Sequence, residues 1–225
     1  MADIKILFED NQLLVVVKPP NILSQGDITG DEDLLTILKK DLKTRYDKPG
    51  NAYLGLVHRL DRPVGGVMVF AKTSKAASRI SDSIRKENFG KTYLAVVHGK
   101  PEKREGTLVH HLFKDEASNI VSVVSEASGK GKRAVLDYRM KASSGKLSLV
   151  EIDLHTGRSH QIRVQLAAIG CPLYGDQKYG AAMNKPGQQL ALWSAKLGLE
   201  HPTLKQPLSF ESSPPEEYPW NVFQF

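Results

Sequence analysis

The sequence predicts an α+β fold, a mixed and mainly antiparallel sheet with flanking helices. Three observations carry this expectation. Five strand-like segments follow one another between residues 92 and 154 with no helical pattern between them, and strands in direct succession pair antiparallel. Apolar residues recur at helical spacing in three segments elsewhere. A doubly wound βαβ sheet is disfavoured, because parallel neighbours need a crossover between consecutive strands.

Ile4–Phe8 and Leu13–Val17 read as short strands rich in Val, Ile and Leu, the second stopped by Pro19-Pro20. Asp31–Tyr46 reads as a helix, with Leu34, Leu35, Leu38 and Leu42 on one side. Val67–Ala71 is an apolar run of strand length. Ser74–Asn88 is the next helix, capped by Thr73 or Ser74, with Ala77, Ile80 and Ile84 on its apolar face. The five consecutive strands lie at Thr92–Val97, Leu108–Phe113, Ile120–Val124, Ala134–Met140 and Leu147–Leu154. The last alternates, Leu147, Leu149 and Glu151 on one face and Ser148, Val150 and Ile152 on the other. Ser159–Ile169 reads as a helix with Ile162, Leu166 and Ile169 as its stripe, ended by Gly170 at C′ with Pro172 beyond. Leu190–Leu199 and Leu208–Phe210 are late strands.

The 225 residues carry no repeat and no low-complexity linker, so one domain over 1–225 is expected. Lys and Arg number 31 against 25 Asp and Glu, a net charge of +6, which favours anionic partners. No apolar run reaches the ~18 residues of a membrane span, and Met1–Asp10 carries acids where a secretion signal would be basic and then apolar. A single cysteine, Cys171, excludes an intrachain disulfide framework and fits a reducing cytoplasm. It reads as a small packed residue, and Trp193 and Trp220 read as core or docking residues. A cytoplasmic monomer is the expectation.

Three segments carry chemistry. In His58-Arg59-Leu60-Asp61-Arg62-Pro63-Val64-Gly65-Gly66, two arginines bracket one aspartate and glycines follow. Glycines permit close backbone approaches, neighbouring guanidinium groups favour an ionised carboxylate, and such a carboxylate is a usable nucleophile. A surface turn with local ion pairs is the plainer reading of this stretch alone. In Lys91–Gly99, Tyr93 shares a strand face with Ala95 and Val97. It is a packed core residue or a platform for a planar base. In His155–Val164, Arg158, His160, Gln161 and Arg163 gather at a turn and the first turns of a helix. The helix start and Arg158 suit a phosphate, and Arg163 flanks the apolar stripe and can reach a buried carboxylate. A solvated basic helix start is the alternative.

Taken in order, the three segments resemble the signature motifs of the RluA-type family of RNA pseudouridine synthases: His-Arg-Leu-Asp at His58–Asp61, Lys-x-Tyr-x-Ala-x-Val at Lys91–Val97, and Thr-Gly-Arg followed by His-Gln-Ile-Arg at Thr156–Arg163. Ile4–Pro20, Gly170–Gly180 and Leu190–Phe210 resemble the flanking parts of the family, so nearly the whole chain is covered. The resemblance implies the pseudouridine synthase fold with a central catalytic cleft. It implies isomerisation of uridines in structured ribosomal or transfer RNA, with no cofactor and no metal. Asp61 would be the nucleophile after base flipping, Tyr93 would stack on the uracil, and Arg163 would pair with Asp61. Arg59 would fill the gap left by the flipped nucleotide, and His58, Arg62, Arg158 and His160 would contact RNA or support loops. Two departures bear on substrate preference: Pro63-Val64-Gly65-Gly66 replaces an Asp-Thr-Ser-Gly run, and Gln165 stands where histidine is frequent. Three residues precede the first strand, so a stand-alone catalytic domain without an S4-type RNA-binding domain is expected.

Rival classes fare worse. A non-catalytic RNA-binding module would need only the charge and the arginines, and leaves Asp61 unexplained. A metal-dependent hydrolase using His58, His98, His110, His111, His155 and His160 lacks ligand spacing with an accompanying carboxylate. A Ser-His-Asp hydrolase lacks a Gly-x-Ser-x-Gly elbow.

Overall fold

The computed structural model describes residues 4–47, 50 and 52–224; Met1–Asp3, part of the N-terminal stretch weighed as a signal, lie outside them. In chain order the elements are β1 (Ile6–Glu9), β2 (Leu13–Lys18), α1 (Leu34–Arg45), β3 (Gly55–Leu56), β4 (Gly65–Ala71), α2 (Ser74–Arg85), β5 (Gly90–His98), β6 (Glu105–Asp115), β7 (Ile120–Val124), β8 (Lys132–Ser144), β9 (Leu147–Leu154), α3 (Gln161–Ala168), β10 (Leu192–Glu200) and β11 (Pro207–Glu211). The architecture is mixed α+β with mostly antiparallel strands, as the sequence predicts. The chain divides into two compact units, Met1–Gly90 with Ser194–Ser213, and Lys91–Trp193 with Pro214–Phe225.

In the first unit the strands run in the order β1, β2, β4, β10, with β11 on β10 and β3 on β4. Leu13, Val15, Val67, Val69 and Ala71 supply one sheet face of a core that also takes Ala76 and Ile80 from α2 and Leu197 and Leu199 from β10. The opposite face of β2 and β4, Leu14, Val16, Met68 and Phe70, is equally buried. Strands covered on both sides read as continuous apolar runs, which is why Val67–Ala71 was legible. The predicted helix start at Asp31 moves to Leu34. Asp33 is the cap, its Oδ1 accepting from Thr36 N at 3.0 Å and its Oδ2 from the Thr36 hydroxyl at 2.7 Å. Thr73 caps α2.

In the second unit five antiparallel strands run β5-β9-β8-β6-β7. Both faces of β9 are covered: Leu147 and Leu149 on one and Ser148, Val150 and Ile152 on the other are all buried. Ser148 is tolerated there because its hydroxyl donates to Gly99 O at 2.7 Å. Helix α3 packs Val164 against Leu112, Val121 and Ala134. It begins two residues later than expected, at Gln161, and its six residues from Gln161 to Leu166 are all buried. A solvated basic helix start is therefore wrong for this segment. Its end is as predicted: Gly170 takes φ +76°, its N–H donates to Ala167 O, and Cys171 N–H donates to Leu166 O, a Schellman close. Cys171 is buried, and burial raises its thiol pKa. Trp193 and Trp220 are buried.

Candidate active site

The first unit presents Asp61 on the loop between β3 and β4. This loop is held from below by two side chains. The Ser24 hydroxyl donates to Leu60 O at 2.7 Å and accepts from Leu60 N at 3.1 Å, so both backbone groups of the residue before Asp61 are fixed by one buried oxygen. The Lys18 ammonium donates to Pro19 O at 3.0 Å, Ile22 O at 2.6 Å and Arg62 O at 3.1 Å. Lys18 is 0% exposed. Burial pushes its pKa down to about 7, the negative charge of Asp61 opposes that shift, and Arg62 adds to it. Three accepting carbonyls need three N–H donors, which only the charged ammonium provides.

The turn itself closes with Val64 N donating to Asp61 O at 3.0 Å. Gly66 has φ +116°, and a Cβ there would overlap the backbone of Ser194. The glycine after the motif is thus required by the close approach of β4 to β10. His58 Nε2 accepts from Val69 N at 3.0 Å and its ring lies 5.4 Å from Phe89, so it anchors the loop to β4. Arg62 pairs with Asp31 at 2.7 Å and donates to Asn21 O at 3.3 Å. Arg59 is exposed, with no hydrogen bond or ion pair among the described residues.

The second unit carries the other two motif segments. Tyr93 sits on β5 opposite Ile152 and is 6% exposed. The third segment is organised around Gln161, which is 2% exposed. Its Oε1 accepts from the Thr156 hydroxyl at 2.8 Å and from Arg158 N at 3.0 Å, and its Nε2 donates to Val135 O at 3.0 Å. The amide thus ties the turn to β8. Arg158 Nε donates to Arg133 O at 2.9 Å. His160 has φ +51°, an uncommon conformation for a residue with a side chain. It is held by Tyr179, whose hydroxyl lies 2.6 Å from His160 Nδ1 and accepts from Val121 N at 2.9 Å.

Arg163, 8% exposed, is clamped by a carboxylate of its own unit. Its Nε and Nη2 each donate to Asp176 at 2.8 Å, and its guanidinium lies 5.1 Å over the Tyr179 ring. Asp176 also accepts from Lys178 N and Tyr179 N. Burial works to raise the Asp176 pKa, but the Arg163 hydrogen bonds and charge and the two backbone N–H groups outweigh it, and the pKa is lowered. Gln165 Nε2 donates toward Leu108 O, Ala134 O and His110 Nδ1. Its Oε1 is buried without a hydrogen-bond partner among the described residues. The remaining histidines are dispersed: His98 bonds Asn184, and His155 bonds Asp137.

Lys18, Ser24, Asp176 and Tyr179 are positioning residues outside the three motif segments, and Gln161 lies within the third, which assigned it no role. The signal for Lys18 was present, a lysine ending an apolar strand run at Leu13–Lys18. Asp176 and Tyr179 lie on the turn after α3, in the Gly170–Gly180 segment that the resemblance covers without assigning them a role.

A family model described as "RNA pseudouridylate synthase" matches residues 12–168. The chain is 35% identical over 204 residues to a Bacillus subtilis (strain 168) protein named uncharacterized RNA pseudouridine synthase YhcT, covering 89% of this chain and 65% of that one. It is 33% identical over 176 residues to a ribosomal large subunit pseudouridine synthase C of Rickettsia bellii (strain RML369-C), covering 78% and 56%. The chain thus spans less than two thirds of the length of either relative. Among solved structures it is similar to human RNA pseudouridylate synthase domain containing 4, with a TM-score of 0.74 at 28% identity over 94% of this chain and 88% of that one.

Proposed function

The chain belongs to the RNA pseudouridylate synthase family, and from that premise we propose that it isomerises specific uridines of structured RNA to pseudouridine. The observation that carries the proposal is the family match over 12–168, a stretch that contains His58–Asp61, Lys91–Gly99 and Thr156–Arg163 in order. The reaction breaks the C1′–N1 bond, turns the uracil and joins C5 to C1′. The C5 hydrogen leaves as a proton and N1 gains one, so nothing is oxidised and no group is lost. The target base must first leave its stack, at a cost of roughly a few kcal/mol that is least in a loop or distorted helix.

In this reading Asp61 is the nucleophile, attacking C1′, adding to C6 or assisting elimination through a glycal. Tyr93 stacks on the uracil, and Arg163 is the partner that the family resemblance assigns to Asp61. Arg59 enters the gap in the RNA stack, and His58, Arg62, Arg158 and His160 contact RNA or hold the loops that do. The support for these roles is the family resemblance together with the buried anchors beneath Asp61 and Arg163. The whole of 1–225 serves as one catalytic domain and works as a cytoplasmic monomer. The relative named for the large ribosomal subunit makes ribosomal RNA the first substrate to test, with transfer RNA second.

The test is pseudouridine mapping of total RNA from cells with and without the gene, with tritium release from 5-tritiated uridine in RNA by the purified protein. At least one site lost in the deletion strain, and release in vitro, are expected. No lost site and no release, with RNA binding intact, would leave the binding-module reading in its place.

A further inference from the structure

At one end of the second unit's strands Glu105 of β6, Asp137 and Arg139 of β8 and Glu151 and Asp153 of β9 line an open cavity of about 340 Å³, where Arg139 pairs with Glu105 and Lys141 with Glu151. Seven residues further along β6, roughly 23 Å at strand rise, Leu112 lies opposite Lys132. A second groove of about 340 Å³ opens there, between the β6–β7 hairpin and residues 157–159.

This groove is cationic above and apolar below. Lys114, Lys130, Lys132 and Arg158 line it, and its acid, Glu116, is paired with Lys114. Lys130 and Lys132 are exposed, and their ammonium groups make no ion pair or hydrogen bond among the described residues. Arg158 is fixed through Nε to Arg133 O, which leaves both terminal nitrogens without a partner among the described residues. Leu112 and Val121 are buried beneath, and Phe113, the next residue of β6, turns to the other face of the strand. Gly131 sets the two lysines in place. A Cβ there would fall 2.6 Å from Val124 Cγ2 and 2.9 Å from His111 Cβ, so the loop is pressed onto the hairpin with Lys130 and Lys132 on either side.

We propose that this groove is a docking subsite for the sugar-phosphate backbone of the RNA substrate. The inference rests on the RNA reading above and adds where the chain would be held. Lys130, Lys132 and Arg158, cations without a carboxylate partner among the described residues, line one groove and suit successive phosphates of a polyanion. The groove also reaches Gly157, Arg158 and Ser159, the turn that leads into α3 and Arg163, so RNA held here is continuous with the third motif.

The test is equilibrium binding of a short RNA stem-loop with uridines in its loop, measured from about 50 to about 200 mM salt. Lys130→Ala/Lys132→Ala is compared with wild type and with Lys141→Gln, a cation at the opposite end that faces Glu151. The double variant is expected to lower the slope of log Kd against log salt by about 1.5 and to weaken binding roughly tenfold. Lys141→Gln is expected to leave both near wild type. Thermal melts check that all three proteins fold. An unchanged slope in the double variant, or an equal loss in Lys141→Gln, overturns the proposal. The two readings fail separately: no pseudouridine formed by wild type removes the catalytic reading, whereas an active wild type with an insensitive groove removes only this one.

Discussion

Arg163 donates two parallel hydrogen bonds, each 2.8 Å, to the carboxylate of Asp176 thirteen residues further on. Both side chains are buried, so the pair is screened little by solvent and each member depends on the other. Loss of one partner leaves a buried charge, which is the costly event.

Asp176→Asn is therefore expected to destabilise the protein by about 3–5 kcal/mol in urea denaturation, and to lower activity with it. The pH dependence gives a second reading. The folded-state pKa of Asp176 lies below its ordinary value. The contribution of the pair is then complete above about pH 4 and is lost as pH falls through the lower folded value. The stability gap between wild type and Asp176→Asn should narrow on acidification below about pH 4.

Ser24→Ala removes the one hydroxyl that satisfies both backbone groups of Leu60. Leaving them buried and unpaired is expected to cost about 1–3 kcal/mol. Because Leu60 precedes Asp61, kcat should fall by more than KM rises. A stability loss with unchanged kcat would assign Ser24 a role in folding alone.

Lys18 makes a prediction on the alkaline side. Its folded pKa is pushed to about 7 by burial, against about 10.4 for an unfolded lysine. Between those values the unfolded chain binds the extra proton, so this group makes the protein more stable as pH rises. The stability of wild type relative to Lys18→Met should increase between about pH 7 and pH 10 and be flat below about pH 7. Lys18→Met also leaves three carbonyls unsatisfied, and is expected to be less stable than wild type throughout that range.

Asp61→Asn is expected to reduce kcat by at least ~10⁴-fold while RNA binding is retained. Turnover near the wild-type rate would remove Asp61 as the nucleophile. Tyr93→Phe is expected to fold and to keep binding, so a rate defect there reads the hydroxyl alone.

The sequence by itself determined the α+β class, the order of strands and helices, the Thr73 and Gly170 helix ends, and the three motif segments. Each of these is written in local chemistry: period, cap, glycine, and residues adjacent in the chain. Tertiary structure alone decided which polar side chains are buried and what holds them. For Arg163 the sequence left a buried carboxylate partner and a solvated helix start both open, and α3 buries Gln161 and Arg163 against Val135 O and Asp176 on other elements. Lys18, which the expected strand Leu13–Val17 left out, is the anchor of a loop forty-four residues away. A hydrogen-bond partner distant in sequence leaves no periodic trace, whereas the cost of burying a polar group without one is large, so these contacts are fixed by the fold as firmly as the core itself.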